Sequence, residues 1–338
     1  MLLADIDTGD TAWMLIATGL VLFMTPGLAF FYGGMVRAKN VLGMLMQNFF
    51  AMGLMAIIWV TIAFSLAFGN FGDGGFLGNL DFAGGAVVHI NAGAAALAVI
   101  LVLGKRRGWP REGMHPHNLP FTLLGTGILW FGWFGFNAGS ALGSNGIAAT
   151  ALMNTFLAAS AGMLGWLLFE RIKDGKPTTL GAASGAVAGL VAITPCAGYV
   201  GGMAPIIIGF LAGVLCVLAI QLKFKFGYDD SLDVIGVHLV GGLVGALLLG
   251  FFADAAVNPA VKNEGLFTGG DAKLLWFQFV ASVVTLVFSF VVSFIIAKAI
   301  DKIVGLRVTP EEEVEGLDYS QHAETAYSFG STGSMDRL

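Results

Sequence analysis

Nine stretches of this chain contain no aspartate, glutamate, lysine or arginine: 11–33, 41–68, 82–104, 119–142, 146–169, 180–200, 202–222, 234–253 and 274–297. Each reaches the roughly 20 residues that a helix needs to cross the hydrocarbon core of a bilayer. A backbone in hydrocarbon has no water to bond, so it must satisfy its amides within a helix or a closed barrel, and these runs are too long and too uniformly apolar for barrel strands. The sequence therefore predicts an all-α polytopic membrane protein, a bundle of about nine spans. Composition agrees, with 57% hydrophobic and 12% charged residues, against roughly 45–50% and 25% in soluble domains. An ordinary water-soluble fold is excluded. The 49 glycines fall largely inside the runs, where small residues let helix backbones approach closely. Cys196 and Cys216 lie in apolar segments without metal-ligand spacing and read as buried thiols.

The charges sort by alternate loops. Arg37 and Lys39; Lys105, Arg106, Arg107 and Arg111; Arg171, Lys173 and Lys176; Lys223 and Lys225; and Lys298, Lys302, Arg307 and Arg337 share one side. Only Lys262 and Lys273 fall in the other loops, which carry Asp5, Asp7, Asp10, Asp73, Asp254 and Asp271. The positive-inside rule then predicts an inner-membrane protein with its N-terminus outside and its C-terminus in the cytoplasm. The first run is too long for a signal-peptide core and lacks a basic leader, so it reads as retained. Residues 1–300 form the membrane domain, and 301–338, with Glu311-Glu312-Glu313, a solvated cytoplasmic tail.

Two halves are hinted at. Phe31-Tyr32-Gly33-Gly34 resembles Phe136-Asn137-Ala138-Gly139, and Val88-His89 resembles Val237-His238 with Gly241 and Gly242. Transporters often carry such repeats around a midplane pathway. The offsets are 105 and 149 residues, so the first repeat is shorter by about the length of two helices.

His89 and His238 are the outliers among five histidines, each in the first half of a span and in matching places of the two repeats. A single imidazole in a span reads as a satisfied interhelical hydrogen bond. Two facing rings can bond to each other and leave a nitrogen on each for a small polar solute, while apolar walls exclude ions. That describes a path for a neutral hydride such as ammonia. Asp81, at the start of the third span, either caps the helix or lends its charge to a vestibule. In Gly132-Trp133-Phe134-Gly135-Phe136-Asn137-Ala138-Gly139-Ser140 the rings are either interface anchors or faces for a small cation, with Ser140 accepting one hydrogen bond. The spans hold no paired carboxylate, Gly-x-Ser-x-Gly elbow or His-Glu-x-x-His helix, and the loops hold no phosphate-binding Gly-Lys-Ser/Thr. The chain reads as a non-enzyme without a cofactor or a nucleic-acid partner.

Phe31 through Asn40, Asp81-Phe82-Ala83-Gly84-Gly85-Ala86-Val87-Val88-His89, Pro116-His117-Asn118-Leu119-Pro120 and Gly132 through Ser140 resemble the signatures of the ammonium transporter (Amt/Rh) family. The likeness continues through Pro195-Cys196-Ala197-Gly198-Tyr199, Asp233 through His238, and Glu315 through Tyr319 with His322 and Tyr327. The resemblance implies a homotrimer of eleven-helix protomers, each with an inverted repeat and a pore lined by twin histidines, here matching His89 and His238. It assigns Ser140 to the outer ammonium site, Phe136 to the gate and Asp81 to the vestibule, and Trp133, a ring of the same stretch, is expected in that outer set from its place beside them. It implies a tail that docks on the cytoplasmic face, where a PII-type signalling protein plugs the pore. In one respect the sequence departs from the family. Only about a dozen residues separate Phe68 from Asp81, where the family has its third and fourth helices, and with them go a second gate phenylalanine and a tryptophan of the outer cation site. The expected function is ammonium or ammonia transport, with methylammonium as analogue, after deprotonation at the vestibule. The alternatives are a neutral-gas or water channel, an ammonium sensor acting through its tail, and a nonfunctional relic of truncation.

Overall fold

A computed structural model describes residues 6–65 and 80–327. Asp5, Asp73, the end of the 41–68 run and the tail beyond Tyr327, with Arg337, lie outside the described residues. The apolar runs are helices. α1 spans Thr8–Met35, and α2 spans Val41–Ile58 and continues through a π-helical turn, Trp59–Ala63. α3 opens with a π-helical turn at Gly85–Ile90 and runs on through Asn91–Leu103. α4 is Leu119–Gly139, α5 Gly146–Lys173, α6 Thr179–Ile193 and α7 Ala204–Ala219, followed by the short α8, Leu222–Phe226. α9 again begins with a π-helical turn, Ile235–Leu239, before Val240–Phe252, and α10 is Ala272–Ile303. α11, Pro310–Glu315, and α12, Leu317–His322, belong to the tail. Among the described residues, eight helices are long and apolar enough to cross a membrane, and α6, with 15 residues, is a shorter apolar ninth.

Local chemistry sets the helix ends. Asn118, Asn145 and Thr178 accept hydrogen bonds from the amides of Phe121, Ala148 and Gly181, satisfying donors that the first turn leaves open. α6 stops short of the 180–200 run because Pro195 has no N–H to continue the ladder. The carbonyls freed there bind elsewhere: Thr194 O accepts from Ala83 N at 3.2 Å and Pro195 O from Phe82 N at 3.0 Å. The end of α6 thereby holds the entrance to α3.

Hydrogen bonds gather the basic loops at one end of the bundle. Lys39 binds the Val314 carbonyl, Arg106 pairs with Asp229 at 2.6 Å, the Arg107 amide donates to Glu313, and Lys173 reaches Gln221. At the opposite end Ser144 N donates to Asp10 and Asp254 N to Tyr199 O. The tail packs on the basic end. Asp318 is buried there and caps α2, accepting from Leu42 N at 3.0 Å and Gly43 N at 2.9 Å.

The core centres on α6, buried almost throughout from Gly181 to Ile193. Small residues make this possible: a Cβ at Gly189 of α6 or at Gly209 of α7 would run into the Ala158 carbonyl of α5, so the three backbones meet there without side chains between them. The two halves correspond. Val41 and Gly146, the first residues of α2 and α5, lie 105 residues apart, as do the Phe31 and Phe136 motifs. α3 runs from the acidic end to the basic end and α9 runs back, so the repeat is inverted.

Candidate functional site

Five pairs of residues separated by the same 149 positions build the centre of the molecule. Asp81 accepts from Ala86 N at 3.0 Å and Val87 N at 3.4 Å; Asp230 accepts from Val234 N at 3.1 Å and Ile235 N at 2.8 Å. Each carboxylate thus caps the π-helical turn that carries a histidine eight residues later. Gly84 (φ 82°) and Asp233 (φ 57°) bend the chain into the left-handed region at equivalent points. His89 and His238 come next, and then Ile90 and Leu239. The last pair brings the helices together: a Cβ at Gly93 would strike Leu239, and one at Gly242 would strike Ile90 and His89. Asp230, on the basic end, was not singled out from the sequence; the spacing of Asp81 to His89, repeated before His238, is the signal that finds it.

The histidine rings meet across this crossing. His89 Nδ1 lies 3.2 Å from His238 Nδ1, with ring centroids 5.4 Å apart and planes inclined by 28°. Two nitrogens at that distance require one to hold a proton and the other to be bare. His238 Nε2 pairs with the Tyr32 hydroxyl at 3.0 Å, whereas His89 Nε2 is buried without a hydrogen-bond partner among the described residues. Tyr32, noted in the sequence as part of a repeat and of a family signature but not as a site residue, is therefore a member of the site. Trp133 stacks on His89 at 5.3 Å, with planes 19° apart, and its Nε1 donates to Thr194 Oγ1 at 2.9 Å. It is buried, neither an interface anchor nor an exposed face for a cation. Thr194 in turn donates to the Leu190 carbonyl at 2.8 Å, so the end of α6 fixes both the ring beneath His89 and the turn after Asp81.

Phe136, one turn along α4, lies edge-on to Trp133 at 5.8 Å and is half-buried. Ser140 donates to the Phe136 carbonyl at 2.8 Å, which leaves its oxygen lone pairs open to a donor. Asp81 Oδ2 is engaged by the α3 amides, but Oδ1 is buried without a partner among the described residues. Burial pushes the Asp81 carboxyl up to about 6, against the opposing pull of the Ala86, Val87 and Gly85 amides. Ser140 and Asp81 each bond within their own segment, and no hydrogen bond joins them. On the basic end Lys223 pairs with Asp233 at 2.5 Å and reaches the Asp230 carbonyl at 3.2 Å. Burial raises both carboxyls and the ammonium of Lys223 opposes that rise.

The model of the Ammonium Transporter Family matches residues 12–80 and 71–327, a match that breaks off and resumes between α2 and α3. An ammonium transporter of Mycobacterium tuberculosis is 42% identical over 441 aligned positions, covering 97% of this chain and 92% of that protein. An ammonium transporter of Bacillus subtilis is 41% identical over 401 positions, covering 94% and 98%. A crystal structure of Candida albicans Mep2 superposes with a TM-score of 0.79 at 31% identity, covering 91% of this chain and 88% of that one. Alignments of 441 and 401 positions exceed the 338 residues of this chain by more than a hundred and more than sixty, so these relatives carry positions that have no match in this chain.

Proposed function

This chain belongs to the Ammonium Transporter Family, and from that premise we propose that it passes ammonia through the bundle along the His89–His238 pair. The observation that carries this reading is the 3.2 Å approach of the two imidazoles, His89 buried and His238 half-buried, flanked by Tyr32 and Trp133 in an otherwise apolar centre. A bare cation entering that centre loses its hydration without an ionic partner, whereas neutral ammonia loses far less. Ammonium is recruited at the outer end by the Ser140 oxygen, the Phe136 face and the field of Asp81, and there gives up its proton. Ammonia then meets ring nitrogens that accept or donate as the tautomers require. Hydrogen-bonded rings continuous with the Tyr32 hydroxyl also form a chain along which the proton can travel.

In this reading the basic end faces the cytoplasm of the cell and the N-terminus lies outside. The docked α11 and α12 form a cytoplasmic surface beside Arg107 and Lys39, suited to a PII-type signalling protein, and the working unit is a homotrimer with one pore per protomer.

Methylammonium flux into liposomes holding the purified chain tests the proposal against empty liposomes and against the His89→Ala, His238→Ala double variant. Flux that the double variant loses, or that becomes permeable to potassium, is the expected result. Equal flux from both proteins removes the histidines from the mechanism. Ammonium-dependent partner binding without any flux replaces the transport reading with that of a sensor.

A further inference from the structure

Gln278 is the single carboxamide of α10, and it is 2% exposed. It follows Ala272, the first residue of the helix, by six positions, about 9 Å in from the acidic end. A neutral amide buried there is costly unless it is hydrogen-bonded. Its Oε1 accepts from Leu80 N at 2.8 Å, and its Nε2 donates to Leu80 O at 2.8 Å and to Ala246 O of α9 at 3.1 Å. Both of its donors and its oxygen are thus engaged, and two of the three bonds go to the residue immediately before Asp81.

Leu80 lies outside any helix. Backbone that is not helical is tolerated at membrane depth only where protein satisfies its amides, and here one carboxamide serves both groups of one residue, as a neighbouring strand would. Pro195 O and Thr194 O hold the amides on the other side of Asp81, those of Phe82 and Ala83. Asp81 is therefore fixed before and after, with Oδ2 on the Ala86 and Val87 amides and Oδ1 buried without a partner among the described residues. The second half repeats the device with different chemistry. Asp229, 149 positions after Leu80, immediately precedes Asp230, and Arg106 grips its carboxylate through the backbone N, Nε and Nη2 at 2.7, 2.9 and 2.6 Å. The Arg106 side chain is 37% exposed, so solvent supports a charged fork at the basic end. The deeply buried Gln278 does the same work as a neutral group, which avoids the desolvation of a charge.

We propose that Gln278 is a positioning residue for Asp81: by clasping the Leu80 backbone it keeps the Asp81 carboxylate on the α3 amides, with Oδ1 left for the incoming cation. Gln278 touches no solute itself, and its effect on ammonium recruitment rests on the transport reading above. Without the carboxamide both Leu80 bonds are lost, the chain before Asp81 pivots about the Phe82 and Ala83 amides, and the carboxylate parts from the start of α3. Recruitment at the outer end weakens. Passage along the histidines does not, because that crossing is set by the contacts of Gly93 with Leu239 and of Gly242 with Ile90.

The test compares amide hydrogen exchange of the detergent-solubilised chain with that of Gln278→Met, Gln278→Glu and Ser282→Ala, the last removing a buried hydroxyl one turn along α10. Gln278→Met is expected to speed exchange at residues 80–87 about tenfold, the effect of one or two lost hydrogen bonds, while α4 and α5 exchange as before. Ser282→Ala is expected to leave residues 80–87 unchanged. Gln278→Glu, held protonated at pH 5 by burial, offers Leu80 one donor and one acceptor and is expected to stay within about threefold of the unmodified chain. In liposomes Gln278→Met is expected to raise the half-saturating methylammonium concentration about threefold to tenfold with little change in maximal flux, a split that loss of folded protein does not produce. Unchanged exchange at residues 80–87 overturns the proposal, as does Gln278→Glu exchanging at pH 5 as fast as Gln278→Met, or a fall in maximal flux with the half-saturating concentration unmoved. If the unmodified chain carries no flux, the transport reading falls, and the exchange rates alone decide whether Gln278 positions Asp81.

Discussion

The unequal surroundings of the two imidazoles decide how each can act. His238 is tied at both nitrogens, to His89 and to Tyr32, while His89 is tied at one and stacked on Trp133. Removing the Tyr32 hydroxyl frees a nitrogen of the imidazole pair and lets the His238 ring turn. Tyr32→Phe is therefore expected to lower methylammonium flux about fivefold, the effect of one hydrogen bond worth about 1 kcal/mol, while thermal unfolding of the detergent-solubilised protein moves little. Unchanged flux would place Tyr32 outside the pathway. Asp81 gives a pH signature. Its carboxyl sits at about 6 in the folded protein, against near 4 for an unfolded carboxyl. Between those values the folded state holds a proton that the unfolded chain has released, so stability falls as pH rises through this window and levels off above it. The loss is on the order of 1–3 kcal/mol. Asp81→Asn keeps an acceptor for the Ala86 amide and is expected to flatten that slope in a chemical denaturation series between pH 4 and 7; a slope that persists assigns the titration to another group.

At the scale of elements, the crossing of α3 and α9 works because glycine occupies both contact points. Gly93→Val drives a branched side chain into the Leu239 backbone. Overpacking of this kind costs about 1–3 kcal/mol, and here it also parts the rings. The expected outcome is a lower unfolding temperature together with lost flux, whereas Gly19→Ala, which meets nothing within 4 Å, holds or slightly raises the unfolding temperature. Equal behaviour of the two variants would show that the crossing is slack. The tail is held by discrete polar bonds, and its buried one is the Asp318 cap on α2. Asp318→Ala removes about 1 kcal/mol of capping and is expected to speed protease cleavage between Ile303 and Leu317; an unaltered cleavage rate would mean that Lys39, Arg107 and Arg307 suffice to hold it.

For the whole molecule, the separation of charge between the two ends fixes how the bundle sits in a membrane. Cysteines placed at Lys262 and at Lys302 lie at opposite ends, since α10 runs between them. In intact cells a membrane-impermeant maleimide is expected to label the first and not the second; the reverse pattern inverts the proposed orientation. Much of this level was legible in advance. The nine apolar runs are nine apolar helices among the described residues, with α6 shorter than its run because Pro195 ends it. The histidine pair was legible because two imidazoles in apolar runs are rare enough to stand out. Tyr32, Thr194 and Asp230 were not, since a tyrosine or threonine in a span is unremarkable until its partner is known, and Asp230 sits among the ordinary charges of a loop.

Sequence alone determined the solvent, the number of crossings and the sorting of charge, because each charge pays its cost in hydrocarbon locally, whatever its neighbours are. Tertiary structure alone decided which nitrogen faces which, that Trp133 lies beneath His89 instead of at an interface, and that Gln278 clasps the backbone before Asp81. Those arrangements join residues far apart along the chain, as His89 and His238 are by 149 positions. Their geometry is set by backbone approach at small residues such as Gly93 and Gly242, a contact that leaves no periodic mark in the sequence around it.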